Sequence, residues 1–216
     1  MAEKVEWLST KAGEAAPEPL ILTEEEFVRR YAGTHCEWVG GVVVPMSPSS
    51  LQHMLLIGQL YLILRTYFEL RPIGSVLSQP FSMRLETPER VSRREPDVMI
   101  VLNTHRDRIK PTFLDGPADL VIEVVSPEST ARDHGEKLAE YEAASVPEYW
   151  IIDPDRRDAR FFRMAEGKYR AIPTADGLYQ TPTLPGLRLT LTDLWATDYP
   201  GPAAVVAAIQ AMLKDS

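Results

Sequence analysis

From Leu120 to Val125 the chain reads L-V-I-E-V-V, an apolar run of β-prone residues interrupted by one acid, and this run limits what the chain can become. Such a run is the pattern of a strand covered on both faces, so other elements must pack against each side of it. Helical spacing follows from about Ser129 to Ala144, and a second apolar strand spans Tyr149 to Ile152. A strand, a helix and a strand at this spacing predict a βαβ crossover with the two strands parallel, so the core is α/β. Glu123 then requires a partner. An ionised carboxylate in a buried strand is costly without a cation, a hydrogen-bond donor or a bound proton.

The remaining elements follow from local signals. Residues 1–19 are polar and aperiodic, a flexible N-terminal extension, and residues 20–216 are read as one domain ending in an Ala-rich helix from about Pro202 to Leu213. Thr23-Glu24-Glu25-Glu26 is a capping box that opens a helix reaching about Ala32. Cys36 to Met46 holds two β-prone runs around Gly40-Gly41, a hairpin signal. Ser47-Pro48-Ser49-Ser50 caps a long helix from Leu51 to Leu70, with Leu55, Leu56, Leu60, Leu64 and Phe68 on its apolar face. Strands are expected at about Ser75 to Leu85 and Pro96 to Leu102, and short strands follow Asp153.

Asp97 stands behind Pro96 at the start of its strand, where an acid on its own is more often solvated than functional. Paired with Glu123 on an adjacent strand it gains another meaning, because neighbouring strands lie about 4.8 Å apart. Two carboxylates and a strand carbonyl such as that of Val124 suit Mg²⁺ or Mn²⁺, which prefer hard oxygen ligands and keep several waters. On the following helix Asp133, Lys137 and Tyr141 recur every four residues and share one side. The plain alternative for Asp133 and Lys137 is a surface ion pair.

The combination of P-D, E-V-V-S-P, R-D-x-G-E-K-L-x-x-Y and V-P-E-Y-W-I-I-D, with Glu37, Gly40-Gly41, Met46-Ser47-Pro48 and His53 upstream, resembles the Uma-two family of restriction-endonuclease-like proteins within the PD-(D/E)xK nuclease superfamily. The resemblance implies a central mixed β-sheet flanked by helices and a divalent metal held by Asp97 and Glu123. It also exposes a departure, since the superfamily's lysine two residues after the second acid is here Val125. Lys137 is the candidate replacement. Glu37 is carried over as a further contact to metal or water, with an exposed hairpin acid as the alternative. His53 could touch a phosphate or a base, or simply pack. Tyr141 packs its helix, with its hydroxyl near the metal.

Composition narrows the partners. A formal net charge of -8 excludes a protein that coats nucleic acid through bulk electrostatics, so a polyanionic substrate needs a local basic patch. Arg84, Arg90, Arg93 and Arg94 before Asp97, and Arg106, Arg108 and Lys110 after its strand, read as loops that could supply one. The single Cys36 rules out an internal disulfide and a Cys-rich zinc site, and no signal peptide or membrane-spanning run is evident. The expectation is a cytoplasmic, Mg²⁺-dependent endonuclease acting on DNA without a membrane partner. A homodimer would suit duplex cleavage. The alternatives are a catalytically silent nuclease-fold module that binds nucleic acid or protein, and a hydrolase of smaller phosphoesters.

Overall fold

The computed structural model of the chain describes residues 18–46, 49–126 and 129–214. Most of the expected N-terminal extension, Ser47-Pro48 and Pro127 of the E-V-V-S-P run lie outside the described residues. Helix α1 (Glu24–Tyr31) begins at the expected capping box: the Thr23 hydroxyl accepts from the Glu26 amide at 3.2 Å, and the Glu26 carboxylate accepts from the Thr23 amide at 3.1 Å. Strands β1 (Cys36–Val39) and β2 (Val42–Pro45) form the hairpin, with Gly40 and Gly41 at φ of 56° and 100°. Left-handed backbone at both turn positions is what the glycine pair permits.

Helix α2 (Leu51–Leu70) is capped by the Ser50 side chain and buries Leu56, Leu60, Leu64, Tyr67 and Phe68. Leu55, expected on that face, is 48% exposed. It lies beside Leu51 and Met54 on an outward stripe, spaced three and four residues apart as helix neighbours are. The strand expected from Ser75 to Leu85 is two strands, β3 (Gly74–Ser78) and β4 (Ser82–Glu86), separated at a turn holding Gln79 and Pro80. They belong to different sheets. Proline cannot donate to a ladder, so the break falls there.

The segment read as an arginine-rich loop contains strand β5 (Val91–Arg94), followed by β6 (Val98–Leu102) and a short 3-10 turn over Asn103–Arg108. Next come β7 (Phe113–Asp115), β8 (Leu120–Val124), a π-helical turn (Arg132–Lys137), α3 (Leu138–Ala143) and β9 (Glu148–Asp153). The chain finishes with β10 (Asp158–Ala165), β11 (Lys168–Ile172), β12 (Leu178–Gln180), β13 (Arg188–Thr190), α4 (Leu191–Leu194) and α5 (Pro202–Lys214). No helix among the described residues is long and apolar enough to cross a membrane.

A six-stranded mixed sheet runs β11-β10-β9-β8-β6-β3, and a five-stranded sheet runs β2-β1-β5-β4-β7. As the βαβ pattern predicted, β8 and β9 are parallel. Alternation in β6 and β8 feeds two cores. Val98, Ile100, Leu120, Ile122 and Val124 pack with α2 and α5, whereas Met99, Val101, Val121 and Val125 pack with Tyr141, Tyr149 and the five-stranded sheet. Glu123 alternates with the second set, so its side chain emerges beneath the helix that carries Tyr141. Adjacent β6 and β8 are antiparallel with Val98 opposite Ile122, and one further step sets Asp97 across from Glu123.

Gly74 shows how tightly β3 is seated. A methyl group there would meet the Val101 carbonyl oxygen at 2.7 Å and Leu102 Cα at 3.0 Å, backbone atoms that cannot rotate away. At Gly58, within α2, an added methyl meets nothing within 4 Å. In urea titrations Gly74→Ala is therefore expected to lose about 1–3 kcal/mol of stability through overpacking. Gly58→Ala should gain up to about 1 kcal/mol from helix propensity.

Candidate active site

The site starts from Glu123, which β8 delivers to the interior at 3% exposure. Its Oε1 accepts from the Tyr141 hydroxyl at 2.7 Å and lies 2.9 Å from Lys137 Nζ. Lys137 also stands 3.4 Å from Asp133 Oδ1 and 3.6 Å from Glu37 Oε1. The i, i+4 spacing thus places Asp133, Lys137 and Tyr141 on one side, as expected, but that side is buried: Asp133 and Lys137 are 1% and 4% exposed. The surface ion-pair alternative is corrected. The plain helix expected over this segment is corrected too, since Arg132 to Lys137 wind as a π turn. Such turns recur at functional sites, where one extra residue per turn re-aims the side chains that follow.

Asp97 is gripped from three elements. Its Oδ1 accepts from the Gln79 side-chain amide at 2.9 Å, its Oδ2 accepts from the Val124 backbone N–H at 2.7 Å, and His53 Nε2 lies 3.4 Å from Oδ2. Asp97, Glu123, Asp133, Lys137, His53, Gln79 and Arg132 line one polar cleft of about 50 Å³. The two strand acids that the sequence singles out therefore open onto a single space. Burial alone would lower the His53 pKa, but the Asp97 carboxylate outweighs it and raises it. His53 Nδ1 is buried without a hydrogen-bond partner.

Charge in the cleft is unbalanced. Burial pushes the Glu123 carboxyl up to about 8, Lys137 pulls it down, and Asp133, Asp97 and Glu37 add repulsion. Burial would likewise strip the proton from Lys137, yet Glu123, Glu37 and Asp133 outweigh it and hold the ammonium above its usual range. These two shifts pull against each other, since a neutral Glu123 could not hold the lysine so strongly. The three carboxylates around Lys137 decide the matter: the lysine keeps its proton, and Glu123 is the acid short of compensation.

Glu37 is neither an exposed hairpin acid nor a member of the cleft wall. At 1% exposure it accepts from Arg94 Nη1 at 2.9 Å and from the Glu95 amide at 3.2 Å while facing Lys137. Arg94 is wholly buried and also binds Glu140, on the helix of Lys137, and Glu136 within the π turn. A chain of alternating charges, Lys137 to Glu37 to Arg94 to Glu140, thus ties the five-stranded sheet to the helix. Arg94 has no role as a surface contact for substrate. Arg93 is spent as well, on Glu24 at 2.8 Å and over the Phe113 ring at 4.2 Å. The loop reading fails for Arg84 too, which lies in β4 and pairs with Glu24, while Arg90 pairs with Glu136 and Glu140. After β6, Arg108 donates to the Pro117 carbonyl beyond β7, and Lys110 to the Asp107 carbonyl in its own turn.

Sequence reasoning missed Gln79 and Arg132. Gln79 reaches Asp97 only because the chain turns between two sheets there. Arg132 opens the R-D-x-G-E-K run, but an arginine one residue before Asp133 carries no signal of its own in the sequence. Tyr141 is fully buried, so its contact with the site passes through Glu123 and not through a substrate.

A mixed sheet whose neighbouring strands present two acids to a cleft, closed by a lysine from the crossover helix, defines a restriction-endonuclease-like α/β fold. The same fold is found in a crystal structure described as "a putative nuclease belonging to DUF820" from Anabaena variabilis ATCC 29413, 16% identical over 83% of this chain and 98% of that one, with a TM-score of 0.65. The chain belongs to the Uma2 family, described as "Putative restriction endonuclease", whose family model matches residues 24–192. No curated protein matches the chain.

The buried chain of charges predicts acid sensitivity. Burial opposes ionisation of Glu37, but Lys137 and Arg94 prevail and hold its carboxyl down at about 2, against 4.5 when unfolded. A depressed carboxylate contributes stability that is complete above the unfolded pKa and is lost as pH falls through the folded one. Integrated between those limits this is on the order of 3 kcal/mol. Circular dichroism from pH 5 to pH 2 should therefore show less pH dependence in Glu37→Gln than in the wild type, although Glu37→Gln starts from lower stability.

Proposed function

We propose that the protein is a divalent-metal-dependent endonuclease that hydrolyses phosphodiester bonds in DNA. The observation that carries this reading is the convergence of Asp97, Glu123 and Lys137 on one polar cleft. Family membership supports the nuclease class. The residues fit a hard cation: two strand carboxylates face the cleft, and Glu123 lacks positive charge even beside Lys137. Among the described residues no group of three His, Cys, Asp or Glu side chains could hold a metal. The ion would depend on Asp97, Glu123, a backbone carbonyl such as that of Val124, water and the substrate phosphate, a ligand set typical of Mg²⁺ or Mn²⁺. Bound there, it would supply Lewis-acid polarisation and a water of lowered pKa.

The chain's own groups divide the remaining work. Gln79, the Val124 amide and His53 hold the Asp97 carboxylate in place, so little reorganisation is needed when substrate arrives. Lys137 keeps its proton and so acts as a cation, not as a base. It orients the attacking water and stabilises negative charge developing on the phosphoryl oxygens. Glu37, fixed by Arg94, holds the ammonium in register with Glu123. One observation favours the silent-module reading: Lys137 already lies 2.9 Å from Glu123 and occupies part of the space that an ion would use.

Cleavage assays separate the two. Lys137→Ala is expected to lower Mg²⁺-dependent cleavage per folded molecule by about 10²–10³-fold, the scale of a lost transition-state donor. Lys137→Arg should rescue poorly, because a planar guanidinium does not replace a compact ammonium. Removing a buried cation from among three acids also costs about 3–5 kcal/mol of stability, so the comparison is made on protein shown to be folded. Full activity in Lys137→Ala, with Asp97→Ala inactive as the control for contaminating nuclease, would contradict the assigned role. Absence of both cleavage and Mg²⁺ binding in the wild type would establish the silent module.

A further inference from the structure

The polar cleft opens into a groove of about 820 Å³ that its catalytic groups do not use. On one side Met54, Ile57, Gly58 and Tyr61 recur at helical spacing along α2; on the other stand Ser78 and Gln79 at the turn between β3 and β4. Gln79 and His35 line both spaces, and Gln79 is the residue that grips Asp97. The groove therefore begins one side chain away from the acid pair. Its volume is that of a pocket for a drug-sized molecule, with an aromatic ring and two apolar side chains on one wall.

The charges around the cleft argue against a stacked duplex as occupant. Duplex binding draws its affinity from many phosphate contacts. Arg84, Arg90, Arg93 and Arg94 are each bound to carboxylates of the protein itself, and the net charge is -8. Arg132 differs: it lines the cleft, and its Nε is buried with no hydrogen-bond partner. A guanidinium Nε left without a partner in a cleft that two acids also line is suited to a phosphate, which accepts from it in a charge-assisted bond.

Resting on the nuclease reading of the same site, we infer that the substrate is a strand with an unpaired nucleotide, whose phosphate is bound by Arg132 and whose base enters the groove against Tyr61. An unpaired base exposes both faces and its edge, whereas a base within a duplex is already stacked and cannot enter a groove beside the reacting phosphate. Apolar and aromatic walls suit a base of any sequence, since every base offers a π face.

The test uses the full chain with Ca²⁺ in place of Mg²⁺ to read binding by fluorescence anisotropy, and Mg²⁺ to read cleavage, on one oligonucleotide presented single-stranded or as a duplex. Single strand is expected to bind at least tenfold more tightly than duplex. Tyr61→Ala should weaken that binding about ten- to a hundredfold, the range measured for loss of a stacking platform. Arg132→Gln should weaken it and reduce its salt dependence. Gly58→Leu starts from a Cβ that would meet nothing within 4 Å and extends from a residue lining the groove, so on protein shown by circular dichroism to be folded, single-strand binding should fall at least tenfold. Tighter duplex binding that Gly58→Leu leaves unchanged would overturn the inference, and Mg²⁺-dependent cleavage of that duplex would leave the nuclease reading intact. A dimer converted to monomer by Gly58→Leu, with nucleic-acid binding unaltered, would also overturn it by making the groove an interface between copies. Single-strand binding that is lost in Gly58→Leu while no strand is cut would uphold the inference and refute the nuclease reading.

Discussion

The structure depends on compensating one misplaced charge. A carboxylate at position 123 is carried into the interior by a strand whose other residues are apolar, and the adjacent strand brings Asp97 beside it. Burial alone would favour protonating Glu123. The protein instead sends an ammonium from the crossover helix, and that ammonium must itself be kept from sliding away. Glu37 and Arg94 perform this, drawing a residue from β1 and one from β5 into the environment of a helix that neither strand touches through backbone bonds. Removing one partner from such a buried network leaves the others uncompensated, so its members are coupled and not additive.

That coupling explains why so many charged residues sit inside. Glu37, Arg94, Asp97, Glu123, Asp133, Lys137 and Glu140 are all buried, an unusual density for one end of a small sheet. A core chosen for stability alone would replace most of them with apolar residues. Their burial together is consistent with preorganised electrostatics, in which charges are fixed before the substrate arrives and need not reorganise during reaction. The acid clamp on Lys137 also settles what that lysine can do, since an ammonium so strongly held cannot accept a proton at neutral pH.

Much of this was legible in the chain itself. The L-V-I-E-V-V run announced a buried strand with an acid that needed a partner, and the i, i+4 recurrence set Asp133, Lys137 and Tyr141 on one side of the next helix; spacing alone left that side at the surface, and only the family resemblance pointed Lys137 toward Glu123. Gly40-Gly41 marked the hairpin, and Thr23 to Glu26 marked the first cap. What sequence could not show was long-range pairing. V-S-R-R reads as a solvated loop because its arginines are polar, yet β5 is a central strand whose arginines meet acids contributed by α1, β1 and the crossover helix. Local periodicity carries no information about which distant carboxylate neutralises which guanidinium. The π turn was hidden for a similar reason, since no residue type signals one extra residue in a helical turn. Gln79 escaped notice because its role exists only where two sheets meet.

A crystal soaked in Mn²⁺ and measured at the manganese absorption edge tests the central claim most directly. An anomalous peak bonded to both Asp97 and Glu123, with Lys137 Nζ withdrawn from the 2.9 Å contact it makes with Glu123, is the predicted result. An unbroken Lys137 to Glu123 ion pair at saturating Mn²⁺, with no peak in the cleft, would contradict it.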